Sequence, residues 1–214
     1  MPIELFLPNA AGRRPACLIL HGTSGLVRQH RASIVLFAEA LAENGVVAAV
    51  PHYLASTGTA AGLPAMRAMH AALPEWRAAC RAALLFTQQH ARVDASRIGL
   101  LGFSLGGHLA LSLGMAPPAD ASVKCVVDFF GPTIEPLLIG NRSLLPPVLI
   151  HHGTADRTVT ILNSERLVAQ LMGTGKTRGR EYEYLTYPGQ KHGFAGGALE
   201  RSRSTTVEFM TATL

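Results

Sequence analysis

The stretch Gly99-Leu100-Leu101-Gly102-Phe103-Ser104-Leu105-Gly106-Gly107 constrains this chain more than any other. Residues 98–103 read as an apolar strand, and His108-Leu109-Ala110-Leu111-Ser112-Leu113 has helical composition. Between them, Gly102-Phe103-Ser104-Leu105-Gly106 fits the pattern G-x-S-x-G, with a serine at the apex of a sharp strand-to-helix turn. The flanking glycines have a steric task, because a strand that reverses this tightly leaves no room for neighbouring β-carbons. Such a turn lifts the Ser104 hydroxyl out of the sheet edge and aims the first amides of the helix at the same point.

A strand–turn–helix unit of this kind belongs in a chain that alternates the two elements, and this chain does. Residues 3–7 read as an edge strand and residues 14–20 as a second, ending in His21-Gly22-Thr23-Ser24-Gly25. Residues 31–44 carry Ile34, Val35, Phe37, Ala38, Leu41 and Ala42 at helical spacing and stop at Gly45. Residues 46–50 are a continuous apolar strand, and 56–63 read as a loop. Pro74-Glu75 suits the first turn of a helix reaching about His90, with an acid beside the positive end of the dipole. Beyond the Ser104 turn, 123–130, 148–152 and 182–187 read as strands, with 161–172 and 198–210 as helices. Strands this uniformly apolar predict an α/β fold with a mostly parallel sheet and helices on both faces. No repeat or low-complexity linker divides the chain, so a single domain over residues 1–214 is expected.

Composition excludes several function classes. With 48% hydrophobic and 15% charged residues, the chain can bury an ordinary core. Its apolar runs fall far short of the roughly 20 residues that span a bilayer, so no membrane partner is expected. The N-terminus has no basic lead and too brief an apolar core for a secretory signal, which predicts a cytoplasmic protein. Cys17, Cys80 and Cys125 are odd in number and lack C-x-x-C spacing, so three buried, inert thiols are expected. The net charge is +5, yet the arginines fall in ones and twos without interleaved aromatics. That pattern is a solvated surface rather than a nucleic-acid interface. No residue pattern specifies an oligomeric state.

A serine hydroxyl becomes a nucleophile when a base takes its proton and a third group orients that base. Behind a G-x-S-x-G turn the acid comes first and the histidine second, each after a later strand. Pro147-Val148-Leu149-Ile150-His151-His152-Gly153-Thr154-Ala155-Asp156 supplies an apolar strand and then Asp156 in a loop. Tyr184-Leu185-Thr186-Tyr187-Pro188-Gly189-Gln190-Lys191-His192 supplies the next strand and then His192. Ser104, Asp156 and His192 are therefore the candidate triad. A tetrahedral intermediate also needs two N–H donors for its oxyanion. Leu105, the residue after the serine, gives one; the loop after the second strand gives the other, with Thr23 preferred and Ser24 as substitute. His21, Tyr53 and Phe103 are candidates for a substrate pocket, although His21 and His151 also suit the plainer task of hydrogen-bonding loop backbone. Asp128 sits inside an apolar strand and reads as structural, as does Trp76 on its helix. No H-E-x-x-H or other ligand spacing occurs, so no metal is expected.

His21 to Leu26, Gly102 to Gly107, Asp128-Phe129-Phe130-Gly131-Pro132, His152 to Asp156, and Tyr187-Pro188-Gly189 through His192-Gly193-Phe194 together resemble the dienelactone hydrolase family of α/β hydrolases. The resemblance implies an α/β-hydrolase fold without a large cap domain, acting on a small-molecule ester or lactone with no cofactor. Three positions depart from the enzymes that open dienelactone. Ser104 replaces their cysteine nucleophile, Gly22 stands where they carry a glutamate, and Gly196 stands where they carry a substrate-binding arginine. A serine esterase on the same frame is the expected function: Ser104 attacks, His192 is base and then acid, and Asp156 orients the imidazole. Acyl-thioester or short-peptide hydrolysis is an alternative, since the same constellation serves any acyl transfer; a non-catalytic small-molecule binder is another. Many α/β hydrolases insert a cap where this chain has only residues 132–146, which predicts an open, shallow pocket that favours short acyl groups.

Overall fold

The computed structural model describes residues 1–119, 122–134 and 142–214. Strand β1 (Ile3–Phe6) is an edge strand and runs antiparallel to β3 (Val47–Pro51). Strands β2 (Arg14–Leu20), β4 (Val93–Phe103), β5 (Val123–Phe129), β6 (Val148–Gly153) and β7 (Tyr182–Tyr187) extend the sheet. The order is β1-β3-β2-β4-β5-β6-β7, and every pairing after the first is parallel.

Alternation along the strands builds two cores, because successive side chains point to opposite faces. On one face Leu18, Leu100, Val126 and Ile150 meet three helices: α2 (Leu63–Gln89), α3 (Leu105–Met115) and α4 (Leu162–Gly173). On the other face Ile19, Leu101, Val127 and Leu149 meet α1 (Arg28–Glu43) and α5 (Gly196–Thr213). With both faces covered, residues 16–20 of β2, 98–102 of β4 and 125–129 of β5 are buried, which is why these stretches read as nearly unbroken apolar runs. Trp76 of α2 is fully buried and donates its indole N–H to Thr57 Oγ1 at 2.8 Å. The three cysteines are free and buried, and burial raises each thiol's pKa.

Two expectations about the second helix do not hold. It begins at Leu63 rather than Pro74, and a 3-10 turn, Tyr53–Thr57, runs into the first two residues of the expected loop. Pro64 occupies the first turn, where a missing N–H is harmless. Pro74 lies inside the helix with both it and His70 exposed, so the carbonyl that loses its partner faces water. Burial of Ala65, Ala72, Leu73 and Trp76 holds the helix through the proline. The connection from Pro132 to Pro146 contains one 3-10 turn, Arg142–Leu144, among its described residues; 135–141 lie outside them. Among the described residues no helix is long and apolar enough to cross a membrane.

Asp128 is fully buried in β5, where its Oδ1 accepts the Gly131 N–H at 3.1 Å and its Oδ2 has no hydrogen-bond partner among the described residues. Burial pushes the carboxyl up to about 7, with the Gly131 bond opposing part of that shift. An unfolded aspartate ionises near 4, so the folded state holds this proton more tightly. Its stabilising share is complete below about pH 4 and is lost as the pH rises toward 7. Urea titrations at pH 4.5 and 8 should therefore show a larger loss of stability in the wild type than in Asp128→Asn. Equal losses in the two proteins would contradict this account.

Candidate active site

Ser104 sits between β4 and α3 at φ 55° and ψ −120°, a conformation that residues with a β-carbon rarely adopt. Its N–H donates to the Phe129 carbonyl at 2.9 Å, and its own carbonyl accepts the N–H groups of Gly107 and His108 at 2.8 and 3.2 Å. The strained residue is thus held from both sides. A β-carbon at Gly102 would lie 2.1 Å from the Gly106 oxygen, and one at Gly106 would lie 2.0 Å from the Leu20 oxygen. The glycines of the pattern are required because α3 starts in contact with the ends of β2 and β4.

His192, in the loop after β7, places Nε2 2.9 Å from Ser104 Oγ and Nδ1 2.7 Å from Asp156 Oδ2. The carboxylate is fully buried, while the imidazole is 22% exposed. Asp156 Oδ1 accepts the N–H groups of Thr158 and Val159 at 2.8 and 3.0 Å, which fixes the carboxylate's orientation. A carboxylate only accepts, so in the neutral imidazole the proton sits on Nδ1. Nε2 then presents a lone pair to the Ser104 hydroxyl.

His152, a residue the sequence reading did not single out, braces the Asp156 loop. Its Nε2 donates to the Val159 carbonyl at 2.8 Å and its Nδ1 accepts from the Ser164 hydroxyl at 2.7 Å. Desolvation lowers its pKa, which favours the neutral ring that this pattern needs. The available signal was its position: last but one in an apolar strand, and four residues before Asp156.

Ser104 and His192 open onto a cavity of about 540 Å³, which is also lined by Thr23, Leu105 and Phe103. Leu105 is the first residue of α3, so its N–H has no acceptor within the helix. The Thr23 loop is pinned on two sides: Gly25 N–H donates to the Gly22 carbonyl at 3.0 Å, and Gly62 N–H to the Thr23 carbonyl at 2.8 Å. His21 and Tyr53, expected to line the pocket, are absent from its lining and buried behind this loop. Their rings stack at 4.3 Å, the Tyr53 hydroxyl donates to the His21 carbonyl at 2.6 Å, and His21 Nδ1 donates to the Gly22 carbonyl at 2.8 Å. Burial lowers the His21 pKa to about 4, so the ring is a neutral strut. His151 is likewise buried; it stacks on Phe129 at 4.3 Å, hydrogen-bonds the Tyr187 hydroxyl at 2.8 Å, and is lowered by burial to about 3. No group of three His, Cys, Asp or Glu side chains among the described residues is disposed to hold a metal ion.

A mostly parallel sheet, a serine at a strained strand-to-helix turn, and a histidine and an aspartate after later strands define an α/β hydrolase. The model of the dienelactone hydrolase family matches residues 1–208, and the chain belongs to that family. A curated relative from Bradyrhizobium sp, named as a probable 2-oxo-3-(5-oxofuran-2-ylidene)propanoate lactonase, is 28% identical over 122 residues. That match covers 53% of this chain and 46% of the relative, so the chain spans about half the length of the relative it matches. Similar folds occur in a dienelactone hydrolase from Anabaena variabilis (TM-score 0.72, 19% identity, covering 99% of this chain and 91% of that one). They occur too in a dienelactone hydrolase-like promiscuous phosphotriesterase from metagenomic libraries (0.76, 18%, 99% and 92%). An esterase from Thermogutta terrifontis solved with propionate is similar again (0.73, 23%, 98% and 88%).

Proposed function

We propose that this protein is a serine hydrolase of small carboxylic esters or lactones, working through Ser104, His192 and Asp156 and an acyl-enzyme. The observation that carries this reading is the unbroken line from Ser104 Oγ to His192 Nε2 and from His192 Nδ1 to Asp156 Oδ2. Ser104 Oγ attacks the carbonyl carbon as its proton passes to His192 Nε2, and Asp156 stays ionised beside the resulting imidazolium. The negative charge on the former carbonyl oxygen falls to the N–H groups of Leu105 and Thr23. Collapse breaks the bond to the leaving oxygen, which takes the proton from Nε2 and departs as the alcohol. Water then attacks the acyl-enzyme, gives its proton to Nε2, and the second collapse returns that proton to Ser104 as the carboxylic acid leaves. Lactones belong in the substrate set because the Bradyrhizobium relative is named as a lactonase.

A series of p-nitrophenyl esters from acetyl to palmitoyl tests the reading, together with a fluorophosphonate probe whose site of attachment is found by peptide mass spectrometry. The probe should label Ser104 alone. Buried methylenes contribute up to about 0.8 kcal/mol each, but only where protein surrounds them. No cap covers the site among the described residues, so kcat/KM should peak within the short esters and fall by palmitoyl. Labelling elsewhere, or a steady rise to palmitoyl, would overturn the corresponding part of the proposal.

A further inference from the structure

The chain has eight phenylalanines, and five of them line the cavity in front of Ser104. They form a connected wall. Phe37 of α1 meets Phe103 and Phe129 edge-on, both at 5.2 Å, and Phe103 lies 4.8 Å from Phe129. Phe130 continues the wall to Phe194 at 5.5 Å and to the His192 ring at 4.6 Å. Phe130 is also strained, with φ 43°; it and Ser104 are the non-glycine residues with left-handed φ among those described. Strain of this kind persists only where the surroundings enforce it, and both instances lie at this site. The Phe130 N–H is tied to the His151 carbonyl at 2.9 Å, which fixes the ring's position.

The wall's place relative to the proton path identifies which part of a substrate it faces. The leaving oxygen must come within reach of His192 Nε2 to receive its proton. The alcohol part of an ester therefore extends to the His192 side of Ser104, where Phe130 and Phe194 stand. The carbonyl oxygen faces the Thr23 loop, opposite in role to the alcohol part. There α2 supplies Met66 and Met69 to the lining, beside the Gly62 N–H that bonds to Thr23. No lysine, arginine, aspartate or glutamate lines the cavity among the described residues.

We infer, resting on the hydrolase reading above, that the substrate is an uncharged ester whose alcohol part is an aromatic or similarly compact apolar ring seated against Phe130 and Phe194. Offset and edge-on packing against phenylalanine rewards such a ring. Apart from the His30 and His192 imidazoles, no basic side chain among the described residues lines the cavity to pair with a carboxylate placed there, which would lose part of its hydration. The pocket thus discriminates by charge as well as by shape.

Three acetates test this on the intact chain: methyl acetate, benzyl acetate and 4-(acetoxymethyl)benzoate. The last two differ in a carboxylate remote from the reacting bond, so a rate difference between them reports recognition. Benzyl acetate should exceed methyl acetate at least tenfold in kcat/KM, and 4-(acetoxymethyl)benzoate should fall at least a hundredfold below benzyl acetate. In Phe194→Ala the ratio of kcat/KM for benzyl acetate to that for methyl acetate should fall at least fivefold, and Phe194→Leu should restore part of that ratio. If benzyl and methyl acetate are cleaved equally, or the carboxylate ester is cleaved as well as benzyl acetate, the inference is wrong and ester hydrolysis still stands. If none of the three acetates nor any p-nitrophenyl ester is cleaved by folded protein, the hydrolase reading fails and this inference with it.

Discussion

Replacing Ser104 with alanine is expected to lower kcat for p-nitrophenyl acetate by roughly 10⁴- to 10⁶-fold while leaving the protein folded. Both halves of this expectation follow from the local geometry. The hydroxyl is the only side-chain atom lost, and its contact is the 2.9 Å hydrogen bond to His192 Nε2. That imidazole keeps its Asp156 partner and some access to solvent, so the loss leaves no buried polar group stranded. The unusual backbone at φ 55° is held by the Phe129, Gly107 and His108 hydrogen bonds, all of which alanine retains. Stability should therefore change by no more than about 1 kcal/mol. Under the proposed mechanism the rate falls because no nucleophile remains within reach of Nε2, and the residual turnover is what the proposed Leu105 and Thr23 donors and binding provide. Steady-state kinetics with a urea titration on the same preparation makes the check. A variant within tenfold of wild type, free of contaminating esterase, removes Ser104 from the nucleophile's role.

How much of this was legible in the sequence depends on whether a feature is local or convergent. That Ser104, Asp156 and His192 would lie together was legible because each follows a strand in a loop, and the parallel sheet gathers the ends of β4, β6 and β7 along one edge. The start of α2 was not, because Pro64 and Pro74 both suit a first helical turn. The acid after Pro74 favoured the wrong one, whereas the burial of Ala65 and the Gly62 bond to Thr23 decide the matter in the folded chain. His21 and Tyr53 show a different limit. Polar side chains at the end of a central strand look like pocket residues, but their stacking behind the Thr23 loop depends on a 3-10 turn with no clear pattern. The phenylalanine wall was the least legible feature. Phe37, Phe103, Phe130 and Phe194 come from four separate parts of the chain, and only the register of β4 with β5 sets Phe103 beside Phe129. The positive φ of Phe130 has no sequence marker, since phenylalanine is not a residue that favours it.

Asp156→Asn should be nearly as damaging as the loss of the nucleophile, although it changes one atom and no volume. Asp156 makes two kinds of contact that an amide cannot satisfy in the same way. Oδ1 accepts two backbone N–H groups, from Thr158 and Val159, so the asparagine oxygen must occupy that position. The amide NH₂ is then forced into the place of Oδ2, facing His192 Nδ1 across 2.7 Å. Two donors cannot share that contact, so the imidazole shifts its proton to Nε2 and presents N–H, not a lone pair, to Ser104 Oγ. The base is then in the wrong tautomer at the moment of attack. The alternative flip, with the oxygen toward His192, sets NH₂ against the Thr158 and Val159 N–H groups and opens the loop that His152 and Ser164 brace. Either route weakens the base, and kcat should fall by about 10³- to 10⁴-fold. KM for a neutral ester should change little, because Asp156 is buried and does not line the cavity. A nitrogen-15 NMR spectrum of the imidazole supplies a second readout: wild type should carry its neutral-ring proton on Nδ1 and the variant on Nε2. Turnover within tenfold of wild type, or an unchanged tautomer, would mean that Asp156 is a support for the loop and not the group that orients the base.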